Sequence, residues 1–509
     1  MPSVESKPHV LLLGAGGVGK AVLATLHQMF PAIGYATLTI IDKVDYADHP
    51  VVARAVENGA VFKHVEVTRK NFESIFTEAF GTKDDSSVEE GSVKLFIDLS
   101  VGVGYLDVIG WCAKNGVCYV STAQEPWDDD IFGNATSVTD EAAGEDYSAV
   151  LDNTVYAHQQ KLKKALGNLV DPQFTAIVDH GMNPGLVSHF CKLGLVKVAE
   201  KTLAKVPEHQ ELANALATKN LAVIGQLLGL RTVHVSEIDT QVPIEPKKDG
   251  EFLCTWSPLG FYEEGLCPAQ VSWGTHEKEL PQNGVSLGPQ QIIMKKHSVK
   301  TDIKSYVASH GEIKGLLIPH SECATLAEYL TIKGQDGELV YRPTINYVYA
   351  PPQCGMDSWT EVFATSGLQM QDSSRVLEGK EIASGEDAVG ILLIFERDPV
   401  EYLTGNVESE AKPWCFWSGS ILDIDDCRKN HGSETVPAPT TMQVVAGVFG
   451  ALNWMLAAPE NRKRGVVWPE ALPSDEIEAF AAPWLGRMVF EHFEWDNAPK
   501  GCQFKDFLL

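Results

Sequence analysis

Apolar runs alternate with helical patterns through the first 165 residues of the chain. Val10–Leu13 predicts a buried strand, and the apolar spacing of Val22, Leu23 and Leu26 predicts the helix after it. Further strands are predicted in ATLTIID, VKLFIDLS and VCYVST, with a helical stretch between the last two. Strands that alternate with helices are typical of an α/β fold on a parallel sheet, so we expect this fold class here.

The pattern of the remaining chain is less regular. A strand in FTAIVDH leads into a turn and a helix, and VGILLIFERD predicts a strand of a second domain. PAPTTMQVVAGVFGALNWMLAAPE is apolar on all sides, which predicts a buried helix. We therefore predict domains at residues 1–165 and 166–435, and a C-terminal helical segment at 436–509 that packs back on the first domain. Residues 80–92 are polar and acidic without a period, which predicts an exposed loop.

The turn after the first predicted strand carries glycines at the spacing of a dinucleotide-binding motif. GAGGVG fits G-x-G-x-x-G between a strand and a helix. Glycines let the backbone approach a pyrophosphate closely, and the N-terminus of the helix supplies N–H donors to it. This context predicts an N-terminal Rossmann domain.

The end of the second predicted strand bears on the choice of cofactor. Asp42 lies 23 residues after Gly19, where a carboxylate binds the ribose hydroxyls and repels a 2′-phosphate. NAD is therefore predicted, while Lys43 and Arg69 leave NADP open. The predicted cofactor-binding residues are Gly14, Gly16, Gly17, Val18, Gly19, Asp42 and Ser100.

Composition narrows the possible partners. The 509 residues carry a net charge of −27, which argues against nucleic acid and suits cationic substrates as well as plain solubility. The ten cysteines show neither CxxC spacing nor a compact framework, so no metal site and no disulfides are predicted. Without a long apolar stretch or a targeting pattern, we expect a cytoplasmic protein that has no membrane partner.

One stretch, Leu253–Leu280, places aromatic residues beside carboxylates. Trp256 and Glu264 lie within it, in TWSPLGFYEEG. An aromatic face attracts an ammonium group and a carboxylate neutralises it, so the stretch is a candidate pocket for an organic cation. The alternative, core aromatics beside solvated carboxylates, stays open on the residues alone.

Several segments together resemble the bacterial-type homospermidine synthases, within the wider saccharopine dehydrogenase group. They occur in family order between about residues 10 and 445 and include the long TWS block, which is far more specific than the glycine motif. The matching segments are GAGGVG, LSVGVG, QEPW, GMNPGLVSHF, SEIDTQ, CTWSPLGFYEEGLCPAQVSWGTHE, IPHSEC, YRPTINYVYAP and, more weakly, PTTMQV.

The resemblance implies a fold and a reaction. It implies a second, α+β domain on a mostly antiparallel sheet, a final segment that returns to the first domain, and a homodimer. It also implies tightly bound NAD that is recycled: a hydride leaves the carbon beside one amine of putrescine, a second amine displaces ammonia from the imine, and the hydride returns. Spermidine is a second aminobutyl donor in this family.

The resemblance also assigns roles to individual residues. It places Glu125 and Glu237 near the substrate amines, with Glu237 assisting proton transfer, and Asn183 positioning an amine or the nicotinamide side. Trp256 lies against a cationic imine in this scheme, and Glu264 and His320 are polar members of the same pocket. Each also has an ordinary structural interpretation, whereas Trp273 and His276 are predicted to be structural.

Departures from the family pattern keep other functions open. Gly102 stands where the family carries an Asp, and Ile238, Cys254 and Asn346 also differ. The second hypothesis is an oxidoreductase of the saccharopine or carboxypolyamine type with net NAD(P)H turnover, which needs basic groups for its carboxylates. Arg342 is the one obvious basic candidate inside a motif. A third hypothesis is a protein that binds NAD without chemistry.

Overall fold

The computed structural model describes residues 7–29, 34–80, 92–127, 130, 154–167, 169–288, 290–365, 368–406, 412–431 and 435–509. The loop predicted over residues 80–92 lies outside them except for its two ends.

The described strands fall into two large sheets and three small ones. They are β1 His9–Leu13, β2 Thr37–Asp42, β3 Val61–His64, β4 Lys94–Asp98, β5 Cys118–Ser121, β6 Thr175–Ile177, β7 Leu230–Asp239, β8 Val242–Pro243, β9 Glu251–Cys254, β10 Pro268–Ser272, β11 Gly284–Ser286, β12 Gln291–His297, β13 Asp302–Val307, β14 Gly311–Ile318, β15 Ile332–Lys333, β16 Leu339–Tyr341, β17 Thr344–Ala350, β18 Ser373–Val376, β19 Ile382–Ser384, β20 Glu386–Phe395, β21 Trp414–Asp423, β22 Gly465–Val467 and β23 Arg487–Phe493.

The helices pack mainly on the faces of the two large sheets. They are α1 Gly17–Met29, α2 Pro50–Glu57, α3 Phe72–Phe80, α4 Tyr105–Asn115, α5 Val155–Leu166, α6 Leu186–Lys205, α7 Gln210–Ala217, α8 Leu221–Leu228, α9 Pro258–Leu266, α10 Thr325–Tyr329, α11 Gln353–Ala364, α12 Pro399–Thr404, α13 Ile424–His431, α14 Pro439–Ala457 and α15 Ser474–Ala481.

The first large sheet is parallel and has the order β22-β6-β5-β4-β1-β2-β3. Its inner strands β1, β4, β5 and β6 are mostly buried apolar runs, as expected for a parallel sheet covered by helices, whereas the edge strand β3 is largely exposed. Strand order reverses between β1 and β4, where doubly wound folds bind ligands beyond the carboxyl ends of their strands. The predicted Rossmann fold is confirmed.

The second large sheet is mostly antiparallel, as predicted. Its main path runs β11-β12-β10-β17-β7-β20-β21-β23, with the β13–β14 hairpin joined to β17. The central pair β7–β17 is parallel, and its neighbours run antiparallel to it. The long helix α6 packs on β20 and β21, so it covers one face of this sheet.

The C-terminal part contains more than the predicted helical segment. Its helix α14 packs on α1, but β22 extends the parallel sheet beside β6 and β23 extends the second sheet beside β21. β22 has three residues, too few for a periodic signal, and its pairing with β6 joins residues far apart in sequence. The boundaries at residues 165 and 435 remain a prediction, although β6 at Thr175–Ile177 belongs to the first sheet.

α14 is also the helix whose length and composition would allow it to cross a membrane. Its most apolar window is 83% buried inside the protein, which is typical of a core helix. The ten cysteines are all free thiols, in line with the prediction.

Candidate active site

The turn between β1 and α1 is shaped by its glycines. Gly14 has a φ of +90°, and a Cβ at this position would lie 2.6 Å from the backbone oxygen of Leu99. A Cβ at Gly19 would collide with the Gly14 carbonyl, whereas the space around Gly16 is open. Because α1 begins at Gly17, its first N–H groups border this open space. The turn therefore fits the pyrophosphate of a dinucleotide.

The other predicted cofactor residues lie at neighbouring strand ends. The Asp42 carboxylate accepts hydrogen bonds from the backbone N–H groups of Ala15, at 2.6 Å, and Val44, at 2.7 Å, which fixes it beside the glycine turn. Ser100 follows β4, and its hydroxyl donates to Asp98 at 2.6 Å. These positions border the crevice where a Rossmann domain holds the adenosine and nicotinamide halves of its cofactor.

Glu237 is the centre of a buried hydrogen-bonded group on β7. Its Oε2 accepts from the Asn183 amide at 2.6 Å and from the Tyr347 hydroxyl at 2.7 Å. Tyr349 is its register partner on the parallel strand β17. Burial raises the pKa of Glu237, the two hydrogen bonds oppose the rise, and the nearby Asp239 adds to it. A carboxyl with its pKa moved towards neutrality suits proton transfer.

Two further buried carboxyl groups continue along the same face. Asp239 lies two residues beyond Glu237, accepts from Thr255 at 2.5 Å, and is in register with Asp387 on β20. Asp387 is 1% exposed and has no hydrogen bond of normal geometry among the described residues, although the Thr440 hydroxyl lies close to it. Burial raises the pKa of both groups, and for Asp387 the neighbouring carboxylates raise it further. No cationic side chain of the described residues is among the groups that most affect the pKa of Asp239 and Asp387.

His320 lies between carboxylates. Its Nδ1 is hydrogen-bonded to Glu322, and its ring centroid is 4.6 Å from that of Tyr347. Burial lowers the pKa of His320, but Glu322, Glu264 and Glu237 outweigh that effect and raise it to about 9. For the half-buried Glu264, burial raises the pKa to about 7, although the nearby His320 lowers it. His320 is therefore a cation that the surrounding carboxylates hold in place.

Trp256 forms the aromatic side of this group. Its Nε1 donates to the Tyr349 hydroxyl at 3.0 Å, and its ring lies 5.6 Å from that of Phe261 at a tilt of 41°. The side chain is only partly buried. A partly exposed aromatic ring that is hydrogen-bonded to Tyr349, the register partner of Glu237, is suited to contact with an organic cation.

Glu125 comes from the loop after β5. Its backbone oxygen accepts from the Tyr105 N–H at 2.9 Å, and its side chain is half-buried. The preceding Gln124 donates to Asp179 at 2.5 Å, and Asp179 also accepts from Ser321 at 3.0 Å. These bonds tie the loop that carries Glu125 to the loop that carries His320.

Comparison with known proteins gives the family. Residues 10–177 match the sequence profile of the saccharopine dehydrogenase NADP binding domain, and residues 181–491 match that of the saccharopine dehydrogenase C-terminal domain. The chain belongs to the saccharopine dehydrogenase family.

Individual members of the family match over almost their whole length. The chain is 28% identical to homospermidine synthases from Mesorhizobium japonicum and Blastochloris viridis, over 96% of this chain and 90% and 91% of theirs. Its structure is similar to that of the homospermidine synthase from Legionella pneumophila in complex with NAD. That similarity has a TM-score of 0.76 and 26% identity, and covers 99% of this chain and 98% of the other.

In this member of the saccharopine dehydrogenase family, some residues of the sequence motifs form structural contacts with the C-terminal part of the chain. His276 Nε2 contacts the Cys502 carbonyl at 2.8 Å, and Glu277 accepts from the Phe504 N–H at 3.1 Å. Trp273 packs edge-on against Phe504, 6.4 Å away. These contacts anchor the C-terminus on the second sheet, in line with the structural role predicted for Trp273 and His276.

The structure also shows what surrounds Gly102. This residue is buried with a φ of +76°, a conformation that side chains rarely adopt. Two nearby acids are already engaged: Asp98 by Ser100, and Asp107 by the Trp127 indole, which donates at 2.7 Å. These bonds, with one from the Tyr119 hydroxyl to Asp98, occupy both oxygens of the buried Asp98 and one oxygen of the exposed Asp107.

The motif-based reasoning missed several buried acids of the site. Asp179, Glu322, Asp239 and Asp387 are each no more than 3% exposed. The available signal was an acidic residue inside or at the end of an otherwise apolar run, as in IVDHG or EDAVGILLIF. Such a residue is costly to bury without a partner, and it is therefore a candidate for function.

Proposed function

We propose that the protein is a homospermidine synthase. It transfers an aminobutyl group from putrescine, or from spermidine, to a second putrescine, with NAD as a recycled cofactor. The observation that carries this proposal is the buried group around Glu237. The Asn183 amide and the Tyr347 hydroxyl donate to its carboxylate, the Trp256 indole donates to the adjacent Tyr349, and His320 lies against Tyr347 among carboxylates. The named relatives and the NAD-bound neighbour support it over the full length of the chain.

The cofactor is held by the first domain in this proposal. Gly14, Gly16, Gly17, Val18 and Gly19 hold the pyrophosphate, Asp42 the ribose, and Ser100 borders the nicotinamide side. NAD, when bound, takes up a hydride from the carbon beside one amine and returns it at the end, so there is no net redox change. The remaining steps fall to side chains of the second domain and the crevice.

Those side chains have distinct tasks. Glu237 receives a proton from the reacting amine, since burial has raised its pKa towards neutrality. Asn183, bonded to the same carboxyl, orients that amine. The face of Trp256 stabilises the positive charge of the imine. Glu125 and Glu264 hold the second diamine, whose amine attacks the imine carbon as ammonia leaves, and His320 fixes the carboxylates around it.

The charges of the site argue against a substrate that carries carboxylates. The groups that act most strongly on the pKa of Glu264 and Asp387 include several other carboxyls and one histidine. Arg342, the basic residue considered for such a substrate, donates from Nε to the Thr331 hydroxyl at 2.8 Å. The carboxylates of a saccharopine-like or carboxypolyamine-like substrate would be repelled by the carboxyls beside Glu237, whereas the ammonium groups of a diamine neutralise their charge.

Product analysis tests the proposal. The purified protein is incubated with putrescine and catalytic NAD, and ammonia and polyamines are followed by mass spectrometry. Homospermidine and ammonia without accumulation of NADH are expected. Accumulation of NADH with an oxidised amine would instead assign the oxidoreductase function, and bound NAD without turnover of any amine would indicate a protein without chemistry.

The assembly and the location of the protein are part of the proposal. We expect a homodimer in the cytoplasm, as the resemblance implies, with neither nucleic acid nor a membrane as partner. Light scattering of the purified protein measures the mass directly, and a mass near 56 kDa, that of one chain, would contradict the dimer.

A further inference from the structure

The chain segment that follows β22 lies beside the segment that follows β6. The two strands are adjacent and parallel, and the Val178 N–H continues their pairing by donating to the Val467 carbonyl at 3.1 Å. The segments that leave their carboxyl ends therefore lie next to each other. After β6 comes the turn at residues 179–185, here called the Asn183 turn, and after β22 come residues 468–474. A segment distant in sequence is thus placed next to a turn of the candidate site.

Helix α6 binds residues 468–474 through buried polar side chains. The Lys192 ammonium group donates to three backbone carbonyl oxygens, those of Pro469, Glu470 and Leu472, at 3.3, 2.9 and 2.7 Å. One helical turn earlier, at the start of α6, the Ser188 hydroxyl donates to Oε1 of Glu470 at 2.8 Å. These side chains are at most 6% exposed. Polar groups are costly to bury unless they are bonded, so these bonds fix the segment on α6.

Glu470 also joins the segment to the turn at residues 320–325, here called the His320 turn. Its Oε1 accepts from the Thr325 hydroxyl at 2.9 Å. The same hydroxyl lies 3.1 Å from the carbonyl oxygen of Ser321, the residue after His320. One carboxyl oxygen therefore connects the segment after β22 with the start of α6, which follows the Asn183 turn, and with the His320 turn.

Two histidines form a second link to the Asn183 turn. His180 Nδ1 lies 3.0 Å from the carbonyl oxygen of Gly447, which can only accept, so Nδ1 carries the hydrogen and Nε2 is an acceptor. His189 Nε2 therefore donates to His180 at 3.0 Å, and His189 Nδ1 accepts from the Ser474 hydroxyl at 3.2 Å. Burial lowers the pKa of both imidazoles, that of His180 to about 4, so both are neutral at pH 7 as this arrangement requires.

The two turns supply groups that act on Glu237. The Asn183 amide donates to Glu237 Oε2 at 2.6 Å, and the His320 ring lies 4.6 Å from that of Tyr347, the second donor to the same oxygen. Asn183 and His320 lie on turns rather than on strands, so their position beside Glu237 depends on what holds the turns. Buried hydrogen-bond networks rigidify the elements that they join.

We propose that Glu470 is a positioning residue, which holds the Asn183 turn and the His320 turn in place beside Glu237. Its side-chain hydrogen bonds among the described residues go to α6 and α10, so it acts through these elements. Both bonds need an acceptor oxygen at Oε1, and the buried Oε2 has no hydrogen bond in the described part of the chain. The inference rests on the proposed function where it concerns turnover.

Kinetics over a range of pH test this role. Glu470→Ala removes the acceptor oxygen, whereas Glu470→Gln keeps one. Burial raises the pKa of Glu237, and the Asn183 bond and the charge of His320 oppose the rise, so looser turns should raise this pKa further. The variant retains the charged groups that interact with Glu237, namely Asp239, Asp387, Glu264 and His320.

We expect kcat to fall by about tenfold in Glu470→Ala, since small misplacements of reacting groups are costly. Because Glu237 must be ionised to receive a proton, the acid limb of the pH profile of kcat should move upward by about half a pH unit or more. Glu470→Gln should restore both. A loss of stability alone would lower the amount of active protein without moving the profile.

Hydrogen–deuterium exchange of the NAD-bound protein measures the turns without turnover. Peptides that cover residues 179–185 and 320–325 should exchange about tenfold faster in Glu470→Ala and at the wild-type rate in Glu470→Gln. The matched control is Glu277→Ala, which removes another carboxyl, bonded to the Thr344 hydroxyl and the Phe504 N–H. This control should lower the melting temperature but leave the two turns and the pH profile unchanged.

A smaller substitution applies if Glu470→Ala does not fold. Thr325→Val keeps the shape of the side chain and removes one donor to Glu470, so the His320 turn alone should exchange faster, with a smaller upward shift of the pH profile. Unchanged exchange or an unchanged pH profile in Glu470→Ala, or in Thr325→Val if the first variant does not fold, would overturn the inference. Glu470 would then contribute to stability only.

Failure of the proposed function gives a different result. A wild-type protein that makes homospermidine, together with a Glu470→Ala variant that matches it in exchange and pH profile, would overturn the positioning role alone. Faster exchange of both turns in Glu470→Ala, in a protein that makes no homospermidine, would contradict the synthase and retain the role of Glu470 in holding the turns.

Discussion

The position of Trp256 best distinguishes a cation-binding site from an ordinary hydrophobic core. Its indole is held by a hydrogen bond to Tyr349 yet remains partly exposed. A cation–π contact with a desolvated cation contributes about 2 kcal/mol, or roughly thirtyfold in rate. We therefore expect kcat to fall by about thirtyfold or more in Trp256→Ala and by less in Trp256→Phe, while NAD stays bound. Steady-state kinetics and the absorbance of bound NAD measure both.

The matched control for this substitution is Trp273. It belongs to the same sequence block, but it packs against Phe504 rather than against the Glu237 group. We expect Trp273→Phe to affect thermal stability more than it affects kcat. Equal losses of kcat in Trp256→Phe and Trp273→Phe would show that indole packing, not charge stabilisation, explains the effect.

At the residue scale, we expect Asp42 to influence the choice between NAD and NADP. Its carboxylate is fixed by the backbone of Ala15 and Val44, so a 2′-phosphate would meet an immobile negative charge. Asp42→Asn retains an acceptor oxygen and removes the charge. We expect the affinity ratio of NAD to NADP, measured by fluorescence titration, to fall by about tenfold or more, equivalent to about 1.4 kcal/mol.

A neighbouring acid supplies the control for Asp42. Asp45 is exposed; its carboxylate accepts from the Ala47 N–H at 3.1 Å and lies 3.8 Å from Nδ1 of His64. Asp45→Asn should leave the ratio unchanged. If Asp42→Asn and Asp45→Asn lowered the affinity ratio of NAD to NADP equally, the surface charge in general, rather than a specific ribose contact, would determine the cofactor preference.

Residues of the site differ in how visible they are in the sequence. Glu237, Asn183, Trp256, His320 and Glu264 were assigned through motifs, and the structure places them within one group. The roles of Asp179 and Asp387 depend on a left-handed backbone and on a strand pairing between Asp387 and Asp239, 148 positions apart. Neither feature leaves a local pattern, so the sequence can mark these acids as candidates by their apolar surroundings but does not show which groups they face.

At the scale of elements, the segment at residues 373–381, here called the strap, lies against the cofactor turn. Its strand β18 pairs with β9, and Val376 would be 3.0 Å from a Cβ at Gly17. Glu378 then forms ion pairs with Lys20 of α1 at 2.7 Å and with Lys380 at 2.9 Å. The strap thus joins the second domain to α1, the helix that follows the glycine turn.

This contact predicts slow release of the cofactor. Lys20 and Lys380 hold the pKa of Glu378 at about 2 despite its partial burial, so the ion pairs persist at neutral pH. Glu378→Gln should weaken the strap and increase the dissociation rate of NAD by about threefold to tenfold, for a partly buried pair. Retention of NAD through desalting, followed over time, is the measurement.

An exposed pair provides the comparison for the strap. Lys219 and Asp475 form an ion pair at 2.7 Å on the surface, away from the glycine turn. Asp475→Asn should leave both NAD retention and kcat at wild-type values. Unchanged retention in Glu378→Gln would show that the strap does not limit dissociation.

Elements were predictable where the signal was local. The predicted strands β1, β2, β4 and β5 of the first domain contain apolar runs, and GAGGVG marks where β1 ends and α1 begins. β22 and β23 were not predicted, because a three-residue strand and a half-exposed edge strand carry little periodicity and gain their stability from pairing with distant chain segments. Tertiary context, rather than propensity, determined these two elements.

At the scale of the whole molecule, the buried carboxyls make stability depend on pH. Burial raises the pKa of Glu264 to about 7 and that of Asp179 to about 6, from ordinary values of 4.5 and 3.8. The folded protein therefore binds more protons than the unfolded chain between about pH 4 and pH 7. Their contribution to stability is fully present below about pH 4 and is lost as the pH rises through 6 to 7.

A diamine should reverse this loss, because its ammonium groups stabilise the ionised carboxyls. We expect putrescine to raise the melting temperature of the NAD-bound protein more at pH 8 than at pH 5, and its binding near pH 6.5 to release protons. Titration calorimetry in buffers of different ionisation enthalpy counts those protons.

Two variants test which carboxyls release these protons. Asp179→Asn lacks one of the titrating groups, so its proton release should be smaller. Glu277→Gln lacks a buried carboxyl outside the site, so its proton release should match that of the wild-type protein. Proton uptake on binding, or equal stabilisation at both pH values, would mean that the amine does not neutralise the carboxyls. Charge neutralisation would then not explain how the site binds an amine.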